Sequence, residues 1–263
     1  MKPVVWVFAH MRNEAAILPF WLRHYSAFAD RIVVYDDGSN DGTLEALAMN
    51  PRVHVADLDM GGIYEDALLW LAHESYPIAA GQADYCMWVD ADEFIYHPKM
   101  LECLAWHKAQ GHEVIETVGF NMMGSGGIPA DDGHSQLTDI YRTGVRAPIY
   151  SKPVVFDPRA KVSWSRGKHT LMCPGMVIGR DRDEYKPNPW RLKLLHYRFL
   201  TPEYTAERNA RQYERVGVDK GAAWSCAPTF TGEHSAAWVE RTMHLARDVV
   251  DLNACYLPGV QDA

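Results

Sequence analysis

The chain has no apolar run that approaches the roughly 20 residues needed to cross a bilayer; its opening stretch, Val4-Val5-Trp6-Val7-Phe8, is far shorter than a signal or membrane segment. Cysteine is sparse: Cys86, Cys103, Cys173, Cys226 and Cys255 are odd in number, scattered and free of any C-x-x-C pair. That excludes a disulfide framework or a structural zinc site and points to a reducing compartment. A basic excess is also missing. With a formal net charge of −8, the chain lacks the clustered Lys and Arg that a nucleic-acid footprint requires. No repeat or low-complexity tract is present. These absences predict a cytoplasmic globular protein with, at most, peripheral membrane contact.

The 263 residues can bury a sizeable core, and the first hundred alternate regularly. Strands are predicted over residues 4–8, 31–35, 53–56 and 85–89, with helices from Pro19, over 43–49 and from Gly61-Gly62 to about Tyr76. Strand–helix alternation with short connections predicts right-handed crossovers and an α/β fold with a mostly parallel, Rossmann-like central sheet flanked by helices. Beyond Lys99 the pattern loosens. A helix over 99–110 leads to a strand over 114–120, a Gly-rich loop over 123–133, irregular strands over 150–200, and helices over 202–216 and 235–252. The expected organisation is one domain, 1–263, with a nucleotide-binding half (1–98), an irregular acceptor-side half (99–200) and C-terminal helices (201–263).

Ligands of such sheets bind outside the carboxyl ends of the strands, and the acidic clusters fall at those ends. Asp90-Ala91-Asp92 follows the fourth predicted strand. Two carboxylates one residue apart share a side of an extended backbone, where together they can hold one hard cation, Mn²⁺ or Mg²⁺, against a diphosphate. A capped turn is the plainer reading of the same three residues. Asp36-Asp37 closes the second strand, where Asp37 can accept from a pyrimidine N–H, whereas Ser39, Asn40 and Asp41 read as turn and cap residues before Thr43. Arg12-Asn13-Glu14, after the first strand, either contact a nucleotide or solvate a helix start.

Three ordered segments carry a resemblance: Phe8-Ala9-His10-Met11-Arg12-Asn13-Glu14, Val34-Tyr35-Asp36-Asp37-Gly38-Ser39-Asn40-Asp41-Gly42-Thr43 and Trp88-Val89-Asp90-Ala91-Asp92-Glu93-Phe94. Together they resemble the signature segments of family 2-like glycosyltransferases of the GT-A fold, in the subgroup with a DADEF-type D-x-D motif; Leu194-Leu195-His196-Tyr197 resembles the same subgroup, related to bacterial polysaccharide and cell-surface transferases. The match is good over about 3–100 and patchy to about 215. It implies that Asp37 binds the base, usually uracil, with Ala9, His10 and Arg12 lining the pocket. Asp90 would contact ribose or metal, Asp92 would ligate the metal, and His196 would be the late histidine of the diphosphate–metal site.

Lys168 and His169, in a cationic run, are a further candidate pair for the diphosphate, against the plainer reading of a basic surface turn; a buried structural role is the alternative for His196. Inverting transfer needs a carboxylate base near the acceptor hydroxyl, and the family's usual Glu-Asp signature is not found between Asp92 and His196. Asp131-Asp132 are the nearest acidic pair, with Glu116 and Asp139 as further options, and a solvated loop is the other explanation for that pair. The reading is a metal-dependent transferase taking a nucleotide-sugar donor and a glycan or small-molecule acceptor, inversion being the expected outcome. Two rivals remain: a sugar nucleotidyltransferase, disfavoured because residues 10–14 lack glycine, and a non-catalytic nucleotide-sugar-binding module.

Overall fold

The computed structural model describes residues 2–58, 65–165, 168–174, 176–178, 188–216 and 232–250. The expected helix start at Gly61-Gly62 and the cysteines Cys226 and Cys255 lie outside them. Three parallel strands come first, β1 (Val5–Met11), β2 (Arg31–Asp36) and β3 (Val53–Asp57), separated by α1 (Leu18–Ser26) and α2 (Thr43–Ala48). Then follow α3 (Glu65–Ser75), β4 (Tyr85–Asp90), β5 (Glu93–Tyr96), α4 (Met100–Ala109), β6 (Val114–Ile115) and β7 (Thr117–Met123). The remaining elements are α5 (Leu137–Ile140), β8 (Thr143–Arg146), β9 (Val155–Phe156), β10 (Ser163–Trp164), β11 (Leu171–Cys173), β12 (Met176–Ile178), β13 (Leu192–His196), α6 (Pro202–Val216), α7 (Gly232–Thr242) and β14 (Arg247–Asp248).

The six-stranded central sheet has the order β3-β2-β1-β4-β9-β6. Its first four strands are parallel, and β9 runs antiparallel to both β4 and β6. The fold is therefore the mixed α/β architecture, with a mostly parallel sheet, that the strand–helix alternation predicts. A second sheet, β14-β8-β7-β13-β5, carries the later elements, and a small antiparallel sheet, β10-β11-β12, packs Trp164 and Leu171 against the central sheet's Phe156 side.

Strand alternation explains why the central strands are apolar throughout. Val5, Val7, Ala9 and Met11 face one core, together with α1 and the inner face of the second sheet. Trp6 and Phe8 face the other core, with Cys86, Trp88 and Phe156. A sheet buried on both faces reads as a continuous hydrophobic run. At about 25 cal/mol per Å² of apolar surface removed from water, the burial of large rings such as Phe8, Trp21, Phe94 and Phe156 is a major driving force.

Three boundaries differ from the sequence reading. Residues 114–120 do not form one strand: β6 joins the first sheet and β7 the second, and the exposed Glu116 sits at the break. The last helix ends at Thr242, and the chain then pairs β14 with β8, held by the Arg142–Asp248 ion pair at 3.0 Å. The tripeptide Asp90-Ala91-Asp92 is not extended. The chain leaves β4, turns at Ala91 and Asp92 and enters β5 in the other sheet.

Candidate functional site

The carboxyl ends of β1, β2 and β4 lie side by side, with His10 in register with both Tyr35 and Asp90, and Met11 with Asp36. Asp37 follows β2 by one residue and Asp90 ends β4. The strands that carry them are thus two strand spacings apart, about 10 Å. The loops are stitched to each other. Asn13, in a left-handed conformation at φ 54, donates its amide to Ser39 Oγ and accepts from the Asn40 amide. Ser39 also takes its amide and hydroxyl to Asp36, and Asp41 accepts from the Thr43 amide and hydroxyl. Gly38, at φ 65, takes the backbone through a region that disfavours a Cβ, directly after Asp37. Ser39, Asn40 and Asp41 therefore shape the turn, which leaves Asp37 as the acid of that loop. Its carboxylate is buried and lies 3.4 Å from Arg12 Nη1.

Ala9 is wholly buried in the core, so it supports the strand end through its backbone only. Glu14 faces the other way, into a bidentate pair with Arg208 of α6 at 2.9 and 3.0 Å.

The turn between the sheets gathers most of the charge. Tyr25 of α1 pins β5 by donating to the Glu93 carbonyl and accepting from the Ile95 amide (2.9 and 3.0 Å), and Tyr197 donates its amide to the Asp92 carbonyl at 2.8 Å. Asp90 and Asp92 then diverge. Asp90 Oδ1 accepts from Lys168 Nζ at 2.6 Å and its Oδ2 lies 3.5 Å from Lys152 Nζ. Asp92 Oδ2 accepts from Arg208 Nη2 at 2.9 Å, with Arg198 Nη1 at 4.0 Å, while its Oδ1 lies 3.7 Å from His196 Nε2. Glu93, fully buried, binds Lys152 Nζ and accepts the Asp90 amide at 3.2 Å.

The titration of these groups follows from that geometry. Burial works against ionisation of Asp92, but Arg208, His196 and Arg198 hold its carboxyl at about 2. Burial likewise opposes the charge on Asp90, and the ammonium groups of Lys168 and Lys152 outweigh it, holding that carboxyl well below the usual range. Desolvation disfavours the Lys152 ammonium, yet Glu93 and Asp90 keep it charged, above the ordinary lysine value. His196 is lowered to about 3, chiefly by burial, and is neutral at pH 7. With its Nδ1–H donating to Asn121 Oδ1 at 3.0 Å, Nε2 keeps a lone pair facing Asp92 Oδ1.

Lys168 and His169 are brought to this cluster. Lys168 holds a left-handed backbone at φ 59 and lies 5.9 Å from the Trp88 ring centre; His169 Nδ1 lies 2.6 Å from the Ile149 carbonyl oxygen. Asp131 and Asp132 are not drawn in. Asp131 pairs with Arg23 in the last turn of α1 at 2.7 Å, and Asp132 accepts the amides of His134 and Ser135 and the Ser135 hydroxyl, which hold its carboxyl well below the usual range. A carboxylate so held is a weak base. Asp139 caps its own short helix through the Gln136 amide, and Glu116 sits exposed in the β6–β7 break.

The sequence reading missed Lys152, Arg198, Arg208, Asn121 and Tyr150, whose ring lies 3.9 Å from that of His196. Lys152 had a signal, a lone cation beside the apolar run Pro153-Val154-Val155-Phe156. Arg208 had none, since a helix rich in Glu and Arg reads as a solvated face.

No family model matches the chain, and a search of curated proteins gives no match. Solved structures do show similarity. S. aureus TarS in complex with UDP is 14% identical, with a TM-score of 0.42, covering 84% of this chain and 68% of that one. In another TarS structure the match covers 41% of that chain, so this chain spans well under half of it. Glucosyl-3-phosphoglycerate synthase from Mycobacterium tuberculosis, in complex with Mn²⁺, UDP and glucosyl-3-phosphoglycerate, is 19% identical, with a TM-score of 0.33, covering 45% of this chain and 44% of that one. Mannosyl-3-phosphoglycerate synthase from Rubrobacter xylanophilus is also 19% identical, with a TM-score of 0.33 and 52% of this chain covered. At such identities and scores the likeness assigns no activity to this chain. No helix among the described residues is long and apolar enough to cross a membrane.

Proposed function

We propose that this chain is a glycosyltransferase of the GT-A type, moving a sugar from a UDP-linked donor to a hydroxyl acceptor, assisted by Mn²⁺ or Mg²⁺. The observation that carries this reading is the facing pair Asp92 Oδ1 and His196 Nε2, 3.7 Å apart, at the carboxyl edge of a parallel sheet whose next loops present Asp37 and Arg12. Two electron-rich atoms turned toward each other without a proton between them suit a cation. Bonds of about 2.1 Å to each ligand place ligand atoms about 3.0 to 4.2 Å apart, depending on the angle. Among the described residues no group of three or more His, Cys, Asp or Glu is arranged to hold a metal. The remaining ligands would therefore be donor phosphates and water, as is usual for such ions. When bound, the ion would stabilise the charge that develops on the departing diphosphate.

The chain's own residues supply the rest of the reading. Asp37 would accept the N–H of the base, with Arg12 and His10 beside it. Lys168 and His169 would face the phosphates, and Asp90, held between two lysines, would orient Lys168 or meet the ribose. The test is calorimetry of UDP with and without Mn²⁺, alongside detection of bound Mn²⁺ by electron paramagnetic resonance. Wild-type protein should take up one Mn²⁺ in the presence of UDP, and Asp92→Asn should abolish that uptake while leaving the circular dichroism spectrum unchanged. Full Mn²⁺ uptake by Asp92→Asn would remove the metal assignment. Release of pyrophosphate from a nucleoside triphosphate and a sugar phosphate would replace the transferase with the nucleotidyltransferase.

A further inference from the structure

We infer that Arg208, on α6, is a phosphate-binding residue of this site, resting on the donor reading above. Its guanidinium is committed through its two terminal nitrogens but not through Nε. Nη1 and Nη2 grip Glu14 at 2.9 and 3.0 Å and Nη2 reaches Asp92 at 2.9 Å, while Nε is buried with no hydrogen-bond partner among the described residues. An unsatisfied buried donor on a charged group is costly, so a site that keeps one is incomplete as it stands.

The surroundings say what would complete it. Asp92 Oδ2 already holds Arg208 and has Arg198 at 4.0 Å, with Lys152 and Lys168 a residue or two away along the same turn on Asp90 and Glu93. Four cations meet four carboxylates, Glu14, Asp90, Asp92 and Glu93. Any cation that engages Asp92 through Oδ1 draws that carboxylate toward His196 and loosens Oδ2 from Arg208. The guanidinium would then present Nε–H and a terminal N–H on one edge, a fork that matches two oxygens of a phosphoryl group. Lys168 lies across the turn from it, so a diphosphate would be held from both sides. Arg208 comes from a helix far along the chain and bridges the β1 loop to the β4–β5 turn. It therefore supplies charge that the first hundred residues do not.

The test uses the full chain, with inorganic pyrophosphate and UDP as probes, titrated in the presence of Mn²⁺. Arg208→Lys keeps a positive charge opposite Glu14 and Asp92 but loses the fork; its affinity for both probes should fall about tenfold or more, with the melting temperature read in parallel. Glu14→Gln separates binding from scaffolding. If Arg208 serves only to hold Glu14, Glu14→Gln should weaken pyrophosphate binding as Arg208→Lys does, and the inference falls. If Arg208 binds phosphate, removing its competitor should tighten pyrophosphate binding several-fold. Wild-type affinity retained in Arg208→Lys also overturns the inference while leaving the donor reading intact. Pyrophosphate binding that depends on Arg208, without any UDP binding, would sustain the inference and overturn the donor reading; no binding of either probe to wild type overturns both.

Discussion

Lys152 sits at the buried end of β5 with Glu93 on one side and Asp90 on the other, and its charge is what lets both acids stay there. Lys152→Met should leave Glu93 buried and unpaired, at a cost of about 3–5 kcal/mol, read as a lower midpoint in urea unfolding; a change below 1 kcal/mol would mean that water reaches the pair. Asp132 makes the opposite case. Because its oxygens hold the turn at Ser135, Asp132→Asn should keep transfer rates within a few-fold, whereas loss of a general base costs 10²–10⁴-fold; kcat with a working donor decides. His24 offers a pH handle away from the charged cluster. Burial lowers it to about 4, with its Nε2 2.9 Å from the Ile95 carbonyl oxygen. In the fold it stays neutral while the unfolded chain takes up a proton below about 6.5, so unfolding binds protons in that window. Stability should therefore fall as pH drops from 6.5 towards 4. His24→Gln should shrink that loss by roughly 1–2 kcal/mol, less than the full shift implies because the ring keeps some contact with water. An unchanged slope in the variant would rule the account out.

Among the elements, the pairing of β7 with the turn at Pro148–Tyr150 fixes the floor of the site. A Cβ on Gly119 would meet the Tyr150 carbonyl carbon at 2.3 Å and the Ser151 nitrogen at 2.6 Å, both backbone atoms that cannot swing aside. Gly119→Ala should cost about 1–3 kcal/mol and, by moving Tyr150 off His196, weaken ligand binding as well; a thermal melt and a UDP titration test the two halves. The sequence showed strands β1 to β4 and their helices well, because each is a long run with a single period. It could not show the break at Glu116, since residues on either side are equally strand-like and only their partners differ. Nor could it show that Asp90 and Asp92 part company, because the spacing argument assumed an extended backbone where the chain turns. Lys152, Arg198 and Arg208 were hidden for a related reason: each meets the site through tertiary contacts across 59 or more residues.

At the level of the whole molecule, the first sheet is not the work of the first hundred residues alone, since β9 and β6 complete it beyond β4. A fragment of residues 1–98 would expose the long apolar edge of β4, a template for aggregation. It should elute as soluble oligomers or precipitate, where the full chain runs as a defined species on size exclusion; a monomeric, cooperatively melting fragment would contradict this.

Because the chain changes sheets at Ala91-Asp92, the loops bearing Asp37 and Arg12 belong to one slab of the molecule and the Asp92–His196 pair to the other. A nucleotide reaching across would fasten the two slabs like a clasp. Amide exchange should then slow along the whole seam, including strands that touch no part of the ligand.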